Sequence, residues 1–555
     1  MSLPPVRSQP DALAGHAGAL RPGAAFAALA GRRALLLEVA AVALIVLAAL
    51  LFRTVNLSTL PAGFHGDEAV VGLEARRILD EGEIGVYSRR AAGQPTGPIY
   101  LVAPSIWLFG QTVFAVRIVP ALLGTLTVLA LYIVLRRNFG IPVALVGASV
   151  LAAMNWHIHF ARLGFPLEAW PLVAVLLAGA AVEAVRDTDW RWWAAAGALT
   201  ALGIYVYNAH PLLAATVMLF LGAGLLLRLR AVPRRAILCA GAFGLALLIV
   251  LLPMIRYATS DDTHYWVHFK KARITDTEEW QALDGRGDQA RFIAIAYRDV
   301  WDGLCCGPPE VDLVDGTGFT AITPKAMLAL AGLGVLLALR RPRSPLVYLG
   351  LMVVLIMPLG AALSEGGLAR RTLAMAPFLA MFCGLACARL VEIARSWGRQ
   401  ATLAAATALT LVVGVVVYQN LDLYFDDFAD PEVQAAILGK PISDAARFLD
   451  EHGEGRYVYF YSGTWSIDYV TMEYLAPEVE GEDRSEKFGI YHFRIDPDDD
   501  RPLFVFIRPY LDDIEEVKRR YPGVEITPVE PDEEPTFRVY LPYRDTVGGE
   551  PSRVR

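Results

Sequence analysis

Two adjacent carboxylates, Asp67 and Glu68, come just after an apolar run and the segment Pro61-Ala62-Gly63. A carboxylate so placed can accept a proton from an alcohol. Far along the chain, Arg370 and Arg371 stand side by side. Guanidinium groups bind phosphate through paired N–H donors, and the same donors stabilise a departing phosphate. An acid pair and an arginine pair sharing one pocket would suit glycosyl transfer: the acid takes a proton from an acceptor hydroxyl, and the arginines hold the leaving phosphate. Asp67 is the candidate base, with Glu68 beside it as the second catalytic residue.

Other polar residues qualify by position as substrate-binding groups: His157, His159, Arg162, Tyr205, Tyr207, Asn208, His210 and Glu365, with Arg89 and Arg90 nearer the acid pair. Each has a plainer reading. Asp67 and Glu68 could cap a helix. The histidines and tyrosines could line a membrane interface. Two histidines without a third ligand in register are a weak metal signal; a divalent metal ion is the one cofactor these side chains could use, and no metal site is assigned.

The elements that must position these groups are mostly membrane spans. The 555 residues are 55% hydrophobic, with mean hydropathy +0.42, beyond the range of ordinary soluble domains. Residues 420–555 hold 15 Lys and Arg against 31 Asp and Glu, so an acidic tail follows a basic membrane part. No basic stripe with interleaved aromatics points to nucleic acid. Leu35–Phe52 is apolar except Glu38 and long enough to cross a bilayer. Further spans are predicted at 113–135, 142–156, 165–185, 192–207, 212–229, 236–255, 326–339, 346–363, 373–390 and 401–418, about eleven in all. Arginine clusters fall in every second loop, as the positive-inside rule requires. That count puts Asp67, the polar residues above and the tail on the extracytoplasmic side.

Asp67–Glu83 has the pattern of an amphipathic helix, Gly93–Gly97 reads as a turn, and Pro98–Gly110 is too short to span. Residues 1–33 read as a disordered cytoplasmic tail. Cys305-Cys306 could close a vicinal disulfide, but such bridges are strained, so a reduced pair is expected. In the tail, strands at 457–461, 503–507 and 536–541 alternate with helices at 443–451 and 511–521, which suggests a small α/β domain.

The order of these features resembles membrane glycosyltransferases of the GT-C fold, in the family 39 group of protein O-mannosyltransferases and aminoarabinose transferases. The matching stretches are Asp67-Glu68-Ala69, Phe114-Ala115-Val116-Arg117-Ile118-Val119-Pro120, His159-Phe160-Ala161-Arg162-Leu163-Gly164-Phe165, Tyr205-Val206-Tyr207 and Arg370-Arg371-Thr372-Leu373-Ala374-Met375-Ala376-Pro377. The resemblance implies a glycosyltransferase domain over 34–419, with a first external loop at 53–112 and a second at 256–323, followed by an extracytoplasmic α/β domain at 420–555. It implies a multi-pass protein of the plasma membrane. It also implies a polyprenyl-phosphate sugar donor, a lipid, glycan or protein acceptor, and inversion at the anomeric carbon. In that reading Asp67 is the base and Glu68 orients the acceptor. Relatives carry a lysine after the acid pair; here the region reads Gly93-Gln94-Pro95-Thr96-Gly97-Pro98, and Arg89 or Arg90 would have to substitute. The rival reading is a transporter or flippase of a lipid-linked or small polar solute. It predicts broken helices and internal repeats; no clear repeat is evident, and charges within spans are few apart from Glu38 and Glu183 near span ends.

Overall fold

Alanine and leucine dominate the start of the chain and favour helix. In the computed structural model, which describes residues 22–543 except 91–92, 188, 230–232, 272, 308–321, 341–343, 365–367, 490, 497–500 and 527–534, helix α1 runs Pro22–Thr54. Residues 22–33, expected to be disordered, are therefore helical. Residues 1–21 lie outside the described residues, and Pro22 opens a helix, because proline is well tolerated in a first turn and five alanines follow by position 30.

The segment after α1 folds as α2 (Gly66–Glu81), the two-residue strands β1 (Tyr87–Ser88) and β2 (Gln94–Pro95), and α3 (Ile99–Phe109). The turn expected at Gly93–Gly97 is thus part of a small antiparallel hairpin. Then come α4 (Val113–Phe139), α5 (Ile141–Ala153), α6 (Asn155–Arg162), α7 (Ala169–Arg186), α8 (Trp190–Leu202), α9 (His210–Leu229) and α10 (Pro233–Ala258). The long segment after α10 holds α11 (Tyr265–Lys271), α12 (Glu278–Gln281) and α13 (Arg286–Cys305). Cys305 and Cys306 are disulfide-bonded, contrary to the expected reduced pair. The membrane part closes with α14 (Lys325–Arg340), α15 (Pro345–Ala362), α16 (Leu368–Thr372), α17 (Ala376–Arg395) and α18 (Arg399–Asp422).

Among the described residues, eight helices are long and apolar enough to cross a membrane, or nine if α5 and α6, bent by 54°, form one span. The two other expected spans are helices as well, but α8 has 13 residues and α14 has 16. Backbones meet closely where these short helices pack. A methyl group at Gly197 of α8 would collide with the Phe243 carbonyl of α10, and one at Gly334 of α14 with the Phe382 carbonyl of α17. Small residues at such crossings let helices associate through van der Waals contact, which lipid cannot replace.

The tail adds α19 (Pro431–Ala435), α20 (Lys440–His452), β3 (Tyr457–Tyr461), α21 (Val470–Leu475), β4 (Glu480–Asp483), β5 (Pro502–Ile507), α22 (Ile514–Arg520), β6 (Gly523–Ile526) and β7 (Phe537–Pro542). Its mixed sheet has the order β4-β3-β5-β7-β6, with β3 parallel to β4 and β5 and β7 antiparallel to β5 and β6. Side chains alternate faces along a strand. Val458 and Phe460 therefore pack under α20, while Tyr459 and Tyr461 join an aromatic layer with Phe504, Phe506 and Phe493.

Candidate active site

The acid pair splits as soon as it folds. His65 precedes α2 and caps it: its Nδ1 accepts from the Asp67 N–H at 3.1 Å, and Glu68 Oε2 accepts from the His65 N–H at 3.0 Å. Helical geometry then turns the two carboxylates apart. Asp67 stays partly exposed (41%), whereas the Glu68 side chain is 1% exposed.

Glu68 belongs to the framework. Arg117, at the start of α4, donates to it through Nε at 2.8 Å and Nη2 at 2.9 Å, and the Gly164 N–H adds a bond of 2.7 Å. Burial opposes ionisation of Glu68, but the Arg117 charge and these bonds outweigh it and hold the carboxyl below its ordinary range. Arg117 also donates to the carbonyls of Leu57, Pro61 and Gly63. Arg162, at the end of α6, does the same for Phe52, Val55, Asn56 and Leu60. Two buried guanidinium groups thus hold the irregular stretch leading to Asp67 by its main chain. A guanidinium suits this task because its donors fan out in one plane.

Several residues expected to bind substrate lie inside this framework. His157 is fully buried, with Nδ1 2.8 Å from Arg53 and Nε2 3.3 Å from Glu168. His159 is buried among Phe160, Tyr424 and Phe428. His210 accepts from Trp170 Nε1 at 3.1 Å and meets the Thr200 carbonyl at 3.0 Å through its other nitrogen, which fixes a neutral tautomer. The Tyr205 hydroxyl donates to Val250 O at 2.7 Å, and its carbonyl accepts from Gly97 N–H at 3.1 Å. These groups sit at the right depth, but they are packed against neighbouring helices, and none lines the cavity beside Asp67. Arg89 pairs with Asp262 at 3.6 Å, and Arg90 with Glu74 at 3.5 Å and Glu473 at 3.4 Å. Both stand outside that cavity. Glu365 lies outside the described residues.

What remains converges. A cavity of about 140 Å³ is walled by Asp67, the hairpin residues Gly93, Gln94 and Pro95, Phe165, Leu167, Val206, Tyr207, Asn208, Arg370 and Arg371. Arg370 Nη1 is 3.9 Å from Asp67 Oδ2. A second cavity, about 220 Å³, shares Tyr207, Asn208 and Arg371 and is walled by apolar Leu212, Phe269 and Met357. A polar chamber with an acid and two arginines therefore adjoins an apolar one. A larger cavity of about 520 Å³ between α5, α17 and α18 is lined mainly by apolar side chains; Glu392 and Arg395 are its charged residues, and it has no second arginine. No three side chains of His, Cys, Asp and Glu type converge as metal ligands among the described residues.

Residues 93–267 match the dolichyl-phosphate-mannose-protein mannosyltransferase family. The crystal structure of ArnT from Cupriavidus metallidurans bound to undecaprenyl phosphate superposes with a TM-score of 0.57 at 14% identity, covering 92% of this chain and 99% of that one. The apo state of the same protein gives 0.56 at 14% identity, over 94% and 100%. No curated protein sequence matches the chain. This is the GT-C fold of membrane glycosyltransferases. Within the GT-C fold of this chain, Gln94, Pro95, Phe165 and Leu167 wall the site without being legible as such in the sequence, because apolar and hairpin residues carry no chemical signature. The role of Arg117 is likewise fixed only by the fold. A guanidinium in the first turn of a span was the available signal, since a charge there must find a partner.

Proposed function

We propose that this protein transfers a sugar from a polyprenyl-phosphate-linked donor to an acceptor hydroxyl at the extracytoplasmic face of the plasma membrane. The observation that carries the reading is Asp67 and Arg370, 3.9 Å apart in one cavity with Arg371. Without substrate the carboxylate and guanidinium face each other. A donor phosphate competes for Arg370 and Arg371 and releases Asp67 for the acceptor. The Asp67 carboxylate takes the acceptor proton, and the acceptor oxygen bonds to the anomeric carbon. The bond from that carbon to the phosphate oxygen breaks, and its electron pair stays on the phosphate between the arginines. Attack opposite the leaving group inverts the anomeric centre. The apolar cavity beside Arg371 accepts the first isoprene units. Glu68, through Arg117, positions the base without touching substrate.

The test is Asp67→Asn in purified, reconstituted protein supplied with a lipid-linked sugar. Transfer is lost while membrane insertion and thermal stability stay at the wild-type level. Full activity in this variant would remove Asp67 as the base.

A further inference from the structure

The C-terminal domain docks directly on the approach to Asp67. The Phe64 N–H donates to Ser443 Oγ at 2.7 Å, and the Phe64 carbonyl accepts from Thr471 Oγ1 at 3.2 Å. The Ala62 N–H donates to Gln434 Oε1 at 2.7 Å. The Tyr474 ring packs on Phe64 with centroids 5.1 Å apart. These contacts fix α21, whose N-cap residue is Tyr469.

The Tyr469 hydroxyl rests on Gly66, the residue before Asp67. A methyl group at Gly66 would collide with it. No hydrogen bond from this hydroxyl is formed with the described residues. Burial and then the Asp67 charge push the phenol above its ordinary range, so it remains a proton donor at neutral pH. A phenylalanine would pack as well; what the tyrosine adds is a free O–H beside the carboxylate, approaching from the C-terminal domain and not from the cavity wall.

We propose that Tyr469 is an acceptor-binding residue: its hydroxyl donates a hydrogen bond to a polar group of the hydroxyl-bearing acceptor whose reacting O–H is aimed at Asp67. This rests on the transferase reading above. The donor then occupies the side of Arg370, Arg371, Tyr207 and Asn208, the acceptor meets Asp67 from the side of the C-terminal domain, and the site is incomplete without that domain.

The experiment uses full-length Tyr469→Phe, with Tyr469→Ala as a second variant, and two readouts. The first is binding of undecaprenyl phosphate. The second is transfer in membranes from a deletion strain, which supply natural donor and unmodified acceptor, read by mass spectrometry as membranes are titrated. Tyr469→Phe is expected to bind undecaprenyl phosphate and to melt as the wild type does. Its transfer at limiting membranes falls about fivefold, the loss of one hydrogen bond, and recovers at saturation. Tyr469→Ala falls at least as far. Unchanged transfer, a loss that persists at saturation, or a loss that tracks weaker undecaprenyl phosphate binding overturns the proposal. Absence of transfer by the wild-type chain overturns the transferase reading itself.

Discussion

Replacing Glu68 by glutamine separates a structural carboxylate from a catalytic one. Glu68 holds Arg117 through contacts of 2.8 and 2.9 Å and accepts from Gly164 N–H at 2.7 Å and His65 N–H at 3.0 Å. Both side chains of the ion pair are 1% exposed. Glutamine keeps the shape but leaves a buried guanidinium without its counter-charge, and breaking such a pair costs about 3–5 kcal/mol. Glu68→Gln should fall at the low end, since one oxygen still accepts, and Glu68→Ala at the high end. The assay is thermal unfolding in detergent micelles, with transfer activity measured on the fraction that stays folded. The pH dependence follows from the lowered carboxyl pKa. Glu68 contributes fully above the ordinary carboxylate value of about 4.3, and that stability is lost as pH falls through the lower folded value. Wild-type melting should therefore drop on acidification below about pH 4, and Glu68→Gln should lack that component. If Glu68→Gln melted like the wild type yet transferred nothing, Glu68 would act on substrate directly and the framework role would be wrong.

Arg370→Ala should weaken undecaprenyl phosphate binding by about 2 kcal/mol, the low end for a charge contact, because its side chain is 31% exposed; isothermal titration reads it, and unchanged affinity would move the phosphate elsewhere. His210→Phe orphans the Trp170 N–H and should cost about 1–3 kcal/mol of stability with little change in substrate affinity. Gly334→Val should lower the yield of folded protein by forcing α14 away from Phe382, visible as a loss of monodisperse material in size-exclusion chromatography.

Periodicity and charge bias made much of this architecture readable. Strand β3 occupies 457–461 as its alternation predicts, and α3, at 11 residues, is as short as its apolar run implies. Asp67 and Arg370 were linked across some three hundred residues by counting spans, because the parity of arginine-rich loops places both at the same end. His157, Arg162 and His210 lie at that end too, yet they are buried in the framework. Depth in a bundle says which end a side chain occupies, not whether it faces a cavity or a neighbouring helix. Glu74 departs from the amphipathic pattern of α2: it is buried, because the C-terminal domain covers α2 and Tyr474 sits against Gly72. Strand β4, Glu480–Asp483, has an acidic sequence with no strand signature and is set by its parallel pairing to β3. Tyr469 carried no local signal at all; its meaning comes from docking between distant segments.

Arg117 and Arg162 grip seven carbonyls between Phe52 and Gly63 and no side chain of that stretch. The shape of the lead-in to Asp67 is therefore written in peptide groups, and its solvent-facing positions are left open to drift. Saturation mutagenesis should find Val55, Ser58 and Thr59 permissive while positions 117 and 162 accept arginine alone. Lysine brings equal charge, but its donors radiate from a single point and cannot span three or four separate oxygens.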